Sequence, residues 1–87
     1  MKRVTDKKEI LDLLNKKYIL AAVAISNMKG YYVTLIKNKY VFNNPSVSYK
    51  FTKDSFIEVL SEYNFYLIDS KEEVSINQEF DVNTLKQ

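Results

Sequence analysis

Three apolar runs follow one another in YILAAVAISNMKGYYVTLIKNKYVF, residues 18–42. The first run, residues 18–25, is apolar at every position, which favours a strand that is covered on both faces. A hairpin signal at residues 27–30 separates it from residues 31–37, which are β-branched or aromatic almost throughout. Asn38-Lys39 then predicts a tight two-residue turn into residues 40–42. The stretch therefore predicts an antiparallel meander of strands.

The segment before this meander has the spacing of an amphipathic helix. Ile10, Leu14 and Tyr18 recur at helical intervals, with lysines and aspartate between them. Asp6 is a suitable N-cap residue, and Glu9 three residues later forms a variant of the capping box. We therefore predict that the first element of the chain is a helix beginning after Asp6.

The segment after the meander predicts one more strand. Residues 43–45, Asn-Asn-Pro, interrupt the ladder, because proline has no backbone donor and holds the preceding residue extended. Val47, Tyr49 and Phe51 then alternate with polar residues. This alternation predicts a half-buried strand over residues 46–51 with one wet face.

A second helix is predicted from Thr52, which is a good N-cap residue. Its apolar stripe is spaced at helical intervals and consists of Phe56, Val59, Leu60 and Tyr63. Asn64 can end the helix in a left-handed conformation. Residues 65–68 then predict a short final strand.

The predicted fold is α+β: one antiparallel meander sheet of three to five strands with two helices. The predicted order is helix, three or four strands, helix, strand. Residues 1–70 are predicted to form a single α+β domain, and residues 71–87 an acidic and polar C-terminal tail. The tail contains a weak alternation that would suit an edge strand, at Val74, Ile76, Phe80 and Val82.

The composition argues against an enzyme. The 87 residues include no histidine, no cysteine and one glycine. The usual general base, the usual zinc ligands and a glycine-rich phosphate loop are therefore missing. We predict no catalytic residue, no cofactor and no metal. A small enzyme with a serine–lysine pair, or a ligand carrier, remains a third alternative.

The charge is divided between the two halves of the chain. Residues 1–50 carry ten Lys or Arg against three Asp or Glu, a net charge of +7, whereas residues 51–87 carry three against eight, a net charge of −5. The longest apolar run is far shorter than the roughly 20 residues that a membrane span needs. We therefore predict a cytoplasmic protein without membrane contact. The many lysines, asparagines and isoleucines suggest a low-GC bacterium or its phage.

Acidic residues mark the surface that we predict to bind a partner. Asp54, Glu58 and Glu62 are spaced i, i+4, i+8 on the second helix, so they share one helical face. Asp69, Glu72 and Glu73 extend this set. The leading hypothesis is a non-catalytic interaction module that binds a basic protein surface. A special case of this hypothesis is an inhibitor or regulator of a partner that handles nucleic acids. Because the two halves are complementary, two copies could also associate head to tail.

The alternative hypothesis is direct nucleic-acid binding by the hairpin strands. Lysines can contact phosphates while aromatic rings on a sheet stack on bases. The residues that would act in this way are Lys29, Tyr32, Lys37, Lys39, Tyr40 and Lys50. Alternation places Tyr31 and Tyr32 on opposite faces, so one of these two at most can join such a surface.

Overall fold

A computed structural model describes residues 2–68 of the chain. Six strands in this range form one antiparallel sheet in the order β1-β6-β2-β3-β4-β5, and two helices accompany it. The fold is α+β, as predicted. The elements are β1 (Lys2–Val4), α1 (Lys7–Asn15), β2 (Leu20–Ala24), β3 (Gly30–Ile36), β4 (Lys39–Asn43), β5 (Ser48–Phe51), α2 (Lys53–Val59), a 3₁₀ turn that we call η1 (Leu60–Glu62) and β6 (Tyr63–Leu67).

The first element is a strand, and this corrects the predicted order. Lys2 pairs with Leu67 and Val4 with Phe65, so β1 lies at the edge of the sheet beside β6. With β1 the described sheet has six strands instead of three to five. Three residues are too few to display an alternating pattern, and their pairing partner lies more than 60 residues away in the chain. No local pattern could therefore have indicated β1.

Helix α1 begins where its capping signal predicted. The side chain of Asp6 accepts a hydrogen bond from the backbone N–H of Lys8, at 3.4 Å. Ile10 and Leu14 are buried against the sheet. After the helix, Lys17 has a φ of 71°, a left-handed conformation that reverses the chain toward β2.

Strand β2 is the central, doubly covered strand that its unbroken apolar run predicted. It lies between β3 and β6, and all five of its residues are buried. Ala22 and Ala24 contribute to the core beneath the helices, whereas Ala21 and Val23 form a small cluster on the other face. Ala21 is enclosed there because both of its cross-strand neighbours are tyrosines, Tyr32 and Tyr66.

The turn between β3 and β4 lies one residue earlier than predicted. Lys37 and Asn38 have φ values of 49° and 66°, so these two residues form the turn, and Lys39 already pairs with Ile36. Two consecutive left-handed residues match the twist of a two-residue hairpin. Asparagine tolerates the left-handed conformation well, but nothing in the sequence shows whether Lys37 or Lys39 forms the turn with Asn38. Strand β4 extends one residue further than predicted, to Asn43, which pairs with Tyr32 and Ser48, and it ends before Pro45.

The second helix also begins as predicted but ends earlier. The hydroxyl of Thr52 accepts a hydrogen bond from the N–H of Ser55, at 3.3 Å. The α-helical turns stop at Val59, η1 follows, and Asn64 lies within β6 instead of ending a helix. Asn64 is held in the sheet by its pairing with Val23, and this pairing overrides the local helix signal.

The core lies between the sheet and the two helices, on the side that we call the helix face. Aromatic rings dominate its centre, where Phe42, Phe56 and Phe65 are almost fully buried. No helix among residues 2–68 is long and apolar enough to cross a membrane. Residues 69–87, which include the predicted tail and its alternating apolar positions, lie outside the described residues.

Candidate functional site

Exposed apolar side chains collect at one end of the sheet, which we call the loop end. It is formed by the β2–β3 connection, residues 25–29, and the β4–β5 connection, residues 44–47. The side-chain amide of Asn44 donates a hydrogen bond to the carbonyl of Gly30, at 3.0 Å, and so ties the two connections together. Five large apolar side chains among residues 2–68 are exposed, and four of them lie in these connections or next to them: Ile25 (54%), Met28 (41%), Val47 (37%) and Tyr49 (44%).

Asn44 also fixes the start of the edge strand β5. Its side-chain oxygen accepts hydrogen bonds from the N–H groups of Ser46 and Val47, at 2.8 and 3.0 Å. Its own N–H donates to the carbonyl of Val47, at 3.1 Å. Asparagine suits such a turn because its side chain can replace backbone partners. Val47 and Tyr49 are therefore presented to solvent on an ordered backbone.

A hollow of about 310 Å³ opens at the loop end, and we call it the tyrosine hollow. Three tyrosine rings line it. The ring centroid of Tyr31 lies 5.9 Å from that of Tyr49 and 6.0 Å from that of Tyr63. Within residues 2–68, no lysine or arginine lines it. The remaining lining residues are Ala24, Ser26, Asn27, Phe51, Val59 and Glu62.

Glu62 is the acidic residue at this hollow. It ends η1, and its carbonyl accepts a hydrogen bond from the N–H of Ile25, at 3.0 Å. This bond anchors the backbone of Glu62 to the end of β2. Behind the hollow, the ring of Phe42 lies 4.9 Å from that of Tyr63 and backs it from the core. The side chain of Glu62 is exposed.

Two tyrosines of the hollow, Tyr31 and Tyr63, have hydroxyl groups whose pKa is raised. Burial is the largest cause that raises the pKa of Tyr31 above its ordinary value of 10.0, followed by the charge of Tyr49 and a hydrogen bond with it. Burial also raises the pKa of Tyr63, followed by the charges of Tyr31, Glu62 and Tyr49. As the pH rises past 10, these tyrosines lose their protons in the unfolded chain before they do so in the folded chain. The stability that depends on their protonated hydroxyls is therefore fully present below pH 10 and is lost as the pH rises further. Among residues 2–68, Glu62 is the one Asp, Glu, Lys or Arg residue that lines the hollow.

The three acidic residues predicted on the second helix are all exposed. Asp54 and Glu58 lie on α2, about 6 Å apart along its axis at 1.5 Å per residue. Glu62 lies in η1, so it departs from strict α-helical spacing and stands at the loop end. Within residues 2–68 the ion pair that forms is Lys16–Asp12, at 3.0 Å, so the charges of these three residues are not neutralised by a salt bridge there. Asp69, Glu72 and Glu73 lie outside the described residues.

The lysines of the alternative hypothesis are divided between the two ends of the sheet. Lys37 lies in the β3–β4 turn and Lys39 directly follows it, and Lys50 lies close by because it pairs with Val41. We call this the basic end. Lys29 is instead in the β2–β3 connection, at the opposite end of β3. The structure therefore brings together three of the four lysines.

The two tyrosines of that hypothesis lie on opposite faces of the sheet. Tyr40 is on the helix face, is 6% exposed, and stacks in parallel on Phe56 with a centroid separation of 4.3 Å. Its ring is thus part of the core and is not accessible to a base. Tyr32 is half-buried on the other face, and burial raises the pKa of its hydroxyl.

A second hollow, of about 580 Å³, lies between the two helices. Its lining mixes the two signs of charge: Asp6, Glu9 and Asp12 occur there together with Lys8 and Lys53. Such a mixture selects neither a cation nor an anion. Among residues 2–68 no group of three acidic side chains is arranged to hold a metal ion.

Sequence reasoning found Glu62 but missed the tyrosine hollow. Its three rings come from β3, β5 and β6, and 18 and 14 residues separate them along the chain. Alternation indicated that Tyr49 shares a face with Phe51, which is correct. It could not show that Tyr31 and Tyr63 lie beside Tyr49, because strand order decides this.

Comparison of the chain with protein-family models, with curated proteins and with solved structures finds no match. The function proposed below therefore rests on the loop end, where Glu62 lies, and on the exposed carboxylates of α2.

Proposed function

We propose that the protein is a non-catalytic interaction module, which binds a basic surface of a partner protein through its loop end and the acidic residues of α2 and η1. The observation that carries this proposal is the collection of four exposed apolar side chains at one end, next to Glu62. Exposed apolar groups gain free energy when another protein covers them. They gain little from the phosphates of a nucleic acid.

The two kinds of residue have different roles in this proposal. Aromatic and apolar side chains usually supply the affinity at the centre of an interface, and here Tyr49 and Val47 take that position. Charged groups at the rim mainly set the association rate and the orientation, and here Glu58 and Asp54 take that position. A basic surface built for phosphates would also attract these carboxylates. Inhibition or regulation of a nucleic-acid-handling protein, in a phage or in a low-GC bacterium, is the special case that we favour.

Reversal of the acidic charges tests this proposal. We expect the double variant Glu58→Lys, Glu62→Lys to lose roughly tenfold or more in affinity for the partner, since like charges then face each other across the interface. The partner is first identified by affinity capture with the unaltered protein and mass spectrometry. The two affinities are then measured with the purified partner by biolayer interferometry.

A matched control is available on the other helix. Glu9 and Asp12 are exposed on α1, and the double variant Glu9→Lys, Asp12→Lys changes the net charge by the same amount. We expect this control to bind within about twofold of the unaltered protein. If both double variants bind like the unaltered protein, the assigned surface is wrong. If the protein captures only copies of itself, its function is self-association and not the binding of a different protein.

The basic end supports direct nucleic-acid binding as a second candidate function. Lys37, Lys39 and Lys50 are exposed there, and Lys17 lies beside them with its ammonium group 3.3 Å from the carbonyl of Leu35. None of these lysines forms an ion pair with a residue of the described part of the chain. Four neighbouring cations suit a phosphate backbone.

Salt-dependent binding to an oligonucleotide tests this second candidate. If the basic end binds single-stranded DNA, a gel-shift titration should give an affinity that falls steeply with salt. The variant Lys37→Gln, Lys39→Gln should then reduce the slope of log K against log salt by about 1.4, which is roughly 0.7 for each lost phosphate contact. Lys29→Gln, at the other end of the sheet, is the control and should leave the slope unchanged. The absence of any shift at low salt would exclude this function.

A further inference from the structure

We propose that the tyrosine hollow is a binding site for one cationic side chain, an arginine or a lysine, that the partner protein carries. The proposal rests on the proposed function and gives it a specific anchor. Three tyrosines, one phenylalanine and Glu62 line it, and no cation of the described chain occupies or lines the hollow.

The chemistry of the lining fits a cation in two ways. A cation within about 6 Å of an aromatic centroid is attracted by the negative face of the ring. Tyr31 is 4% exposed and packs directly on the rings of Tyr49 and Tyr63, so it supports the site from below. Tyr49 is 44% exposed and Tyr63 is half-buried, so a guanidinium at the opening can lie against the ring of Tyr49. Glu62 supplies the opposite charge at the same opening. An anion would meet this carboxylate without any compensating cation.

Size and surroundings also favour a side chain over a larger ligand. The volume of about 310 Å³ lies at the lower end of the range for small-molecule pockets, about 300–1,000 Å³. The hollow adjoins β5, whose outer edge is unpaired among the described strands. Tyr49 is exposed at this edge. A partner segment that lies along β5 could therefore direct a long basic side chain over Tyr49 toward Glu62.

Arginine is expected to bind better than lysine. Its guanidinium group is planar, stacks on aromatic rings and can donate two parallel hydrogen bonds to a carboxylate. The ammonium group of lysine is a strongly hydrated point charge, which loses more solvation when it enters an aromatic site.

A short peptide probe tests the site without the natural partner. The probe is N-acetyl-Gly-Arg-Gly-amide, and its analogue with citrulline has nearly the same shape but no charge. Both are titrated into the full chain while the tyrosine ring signals are followed by NMR. We expect the arginine peptide to shift the signals of Tyr31, Tyr49 and Tyr63 with millimolar affinity, and the citrulline peptide to shift them much less.

Two variants connect the binding to the hollow. Glu62→Gln keeps the shape of the side chain but removes its charge, and should weaken the arginine peptide roughly two- to fivefold. Tyr49→Leu keeps an apolar side chain but removes a ring, and should weaken it to a similar degree. Glu9→Gln is the matched control, because it removes one exposed carboxylate on α1 that does not line the hollow and should leave the affinity unchanged. Circular dichroism verifies that each variant is folded.

The possible outcomes separate this inference from the proposed function. If the tyrosine signals do not move, or if citrulline binds as well as arginine, the cation site is wrong even when charge reversal abolishes partner binding. If the arginine peptide binds but charge reversal leaves partner binding intact, the site is correct and the proposed interface is wrong. If Glu9→Gln weakens the binding of the peptide as much as Glu62→Gln does, the effect is one of overall charge, and the hollow is not the site.

Discussion

A Phe42→Ala variant is expected to lose about 3–5 kcal/mol of unfolding free energy, the usual cost of truncating a fully buried phenylalanine. Phe42 is 0% exposed and lies at the centre of the aromatic core. A chain of 87 residues has about 4–13 kcal/mol in total at ordinary stabilities per residue. The variant should therefore be largely or partly unfolded at room temperature. Its ring contacts the rings of Tyr31, Phe51, Phe56, Tyr63 and Phe65.

Urea denaturation followed by circular dichroism measures this loss. Ile36→Ala is a suitable control, because Ile36 is 50% exposed at the basic end of β3 and should cost less than about 1 kcal/mol. Since Phe42 backs the tyrosine hollow, the variant should also lose binding of the arginine peptide. A loss of stability no larger than that of Ile36→Ala would mean that the aromatic core is not packed as described.

A Leu14→Ala variant is expected to cost about 2–5 kcal/mol. Leu14 is 0% exposed, and with Ile10 it is one of the two buried residues that attach α1 to the sheet. A helix of nine residues is too short to persist in water without packing. We therefore expect the Leu14→Ala variant to lose part of the helical structure of α1 as well as the packing of this side chain.

Hydrogen exchange localises this effect. The amides of α1 should exchange much faster in Leu14→Ala, while those of β2 and β3 keep more of their protection. Asp12→Ala on the same helix is the control. It removes an exposed ion pair with Lys16, which is worth at most about 0.5 kcal/mol. Uniform loss of protection across the chain would show that α1 and the sheet unfold as a single unit.

The starts of both helices were predictable because capping is a local interaction. Asp6 and Thr52 each bond to an N–H group two or three residues later, so the signal and its partner are neighbours in the chain. The end of α2 was not predictable in the same way. Tyr63 and Asn64 continue a helical pattern, but they pair with Ala24 and Val23 in the sheet, about 40 residues earlier.

The residues of the candidate site also divide into those that local patterns predicted and those whose position depends on distant contacts. The exposed carboxylates of Asp54, Glu58 and Glu62 followed from helical spacing and from their chemistry. The lysines that accompany Tyr40 on the hairpin strands suggest a binding surface, yet its ring packs on Phe56. Alternation shows that Tyr40 and Val41 face opposite sides of a strand, but it does not say which side the helices cover.

Local patterns in the chain thus account for the α+β class, the two helix starts, the buried central strand and the charge division. The first three depend on residues close together in the chain, whose periodicity is readable along the sequence, and the charge division is a count over its two halves. The tertiary structure decided the six-stranded order, the membership of β1 and the meeting of Tyr31, Tyr49 and Tyr63 beside Glu62. These features arise from pairing between distant segments, and such pairing is selected by the burial of the whole core rather than by any one stretch of residues.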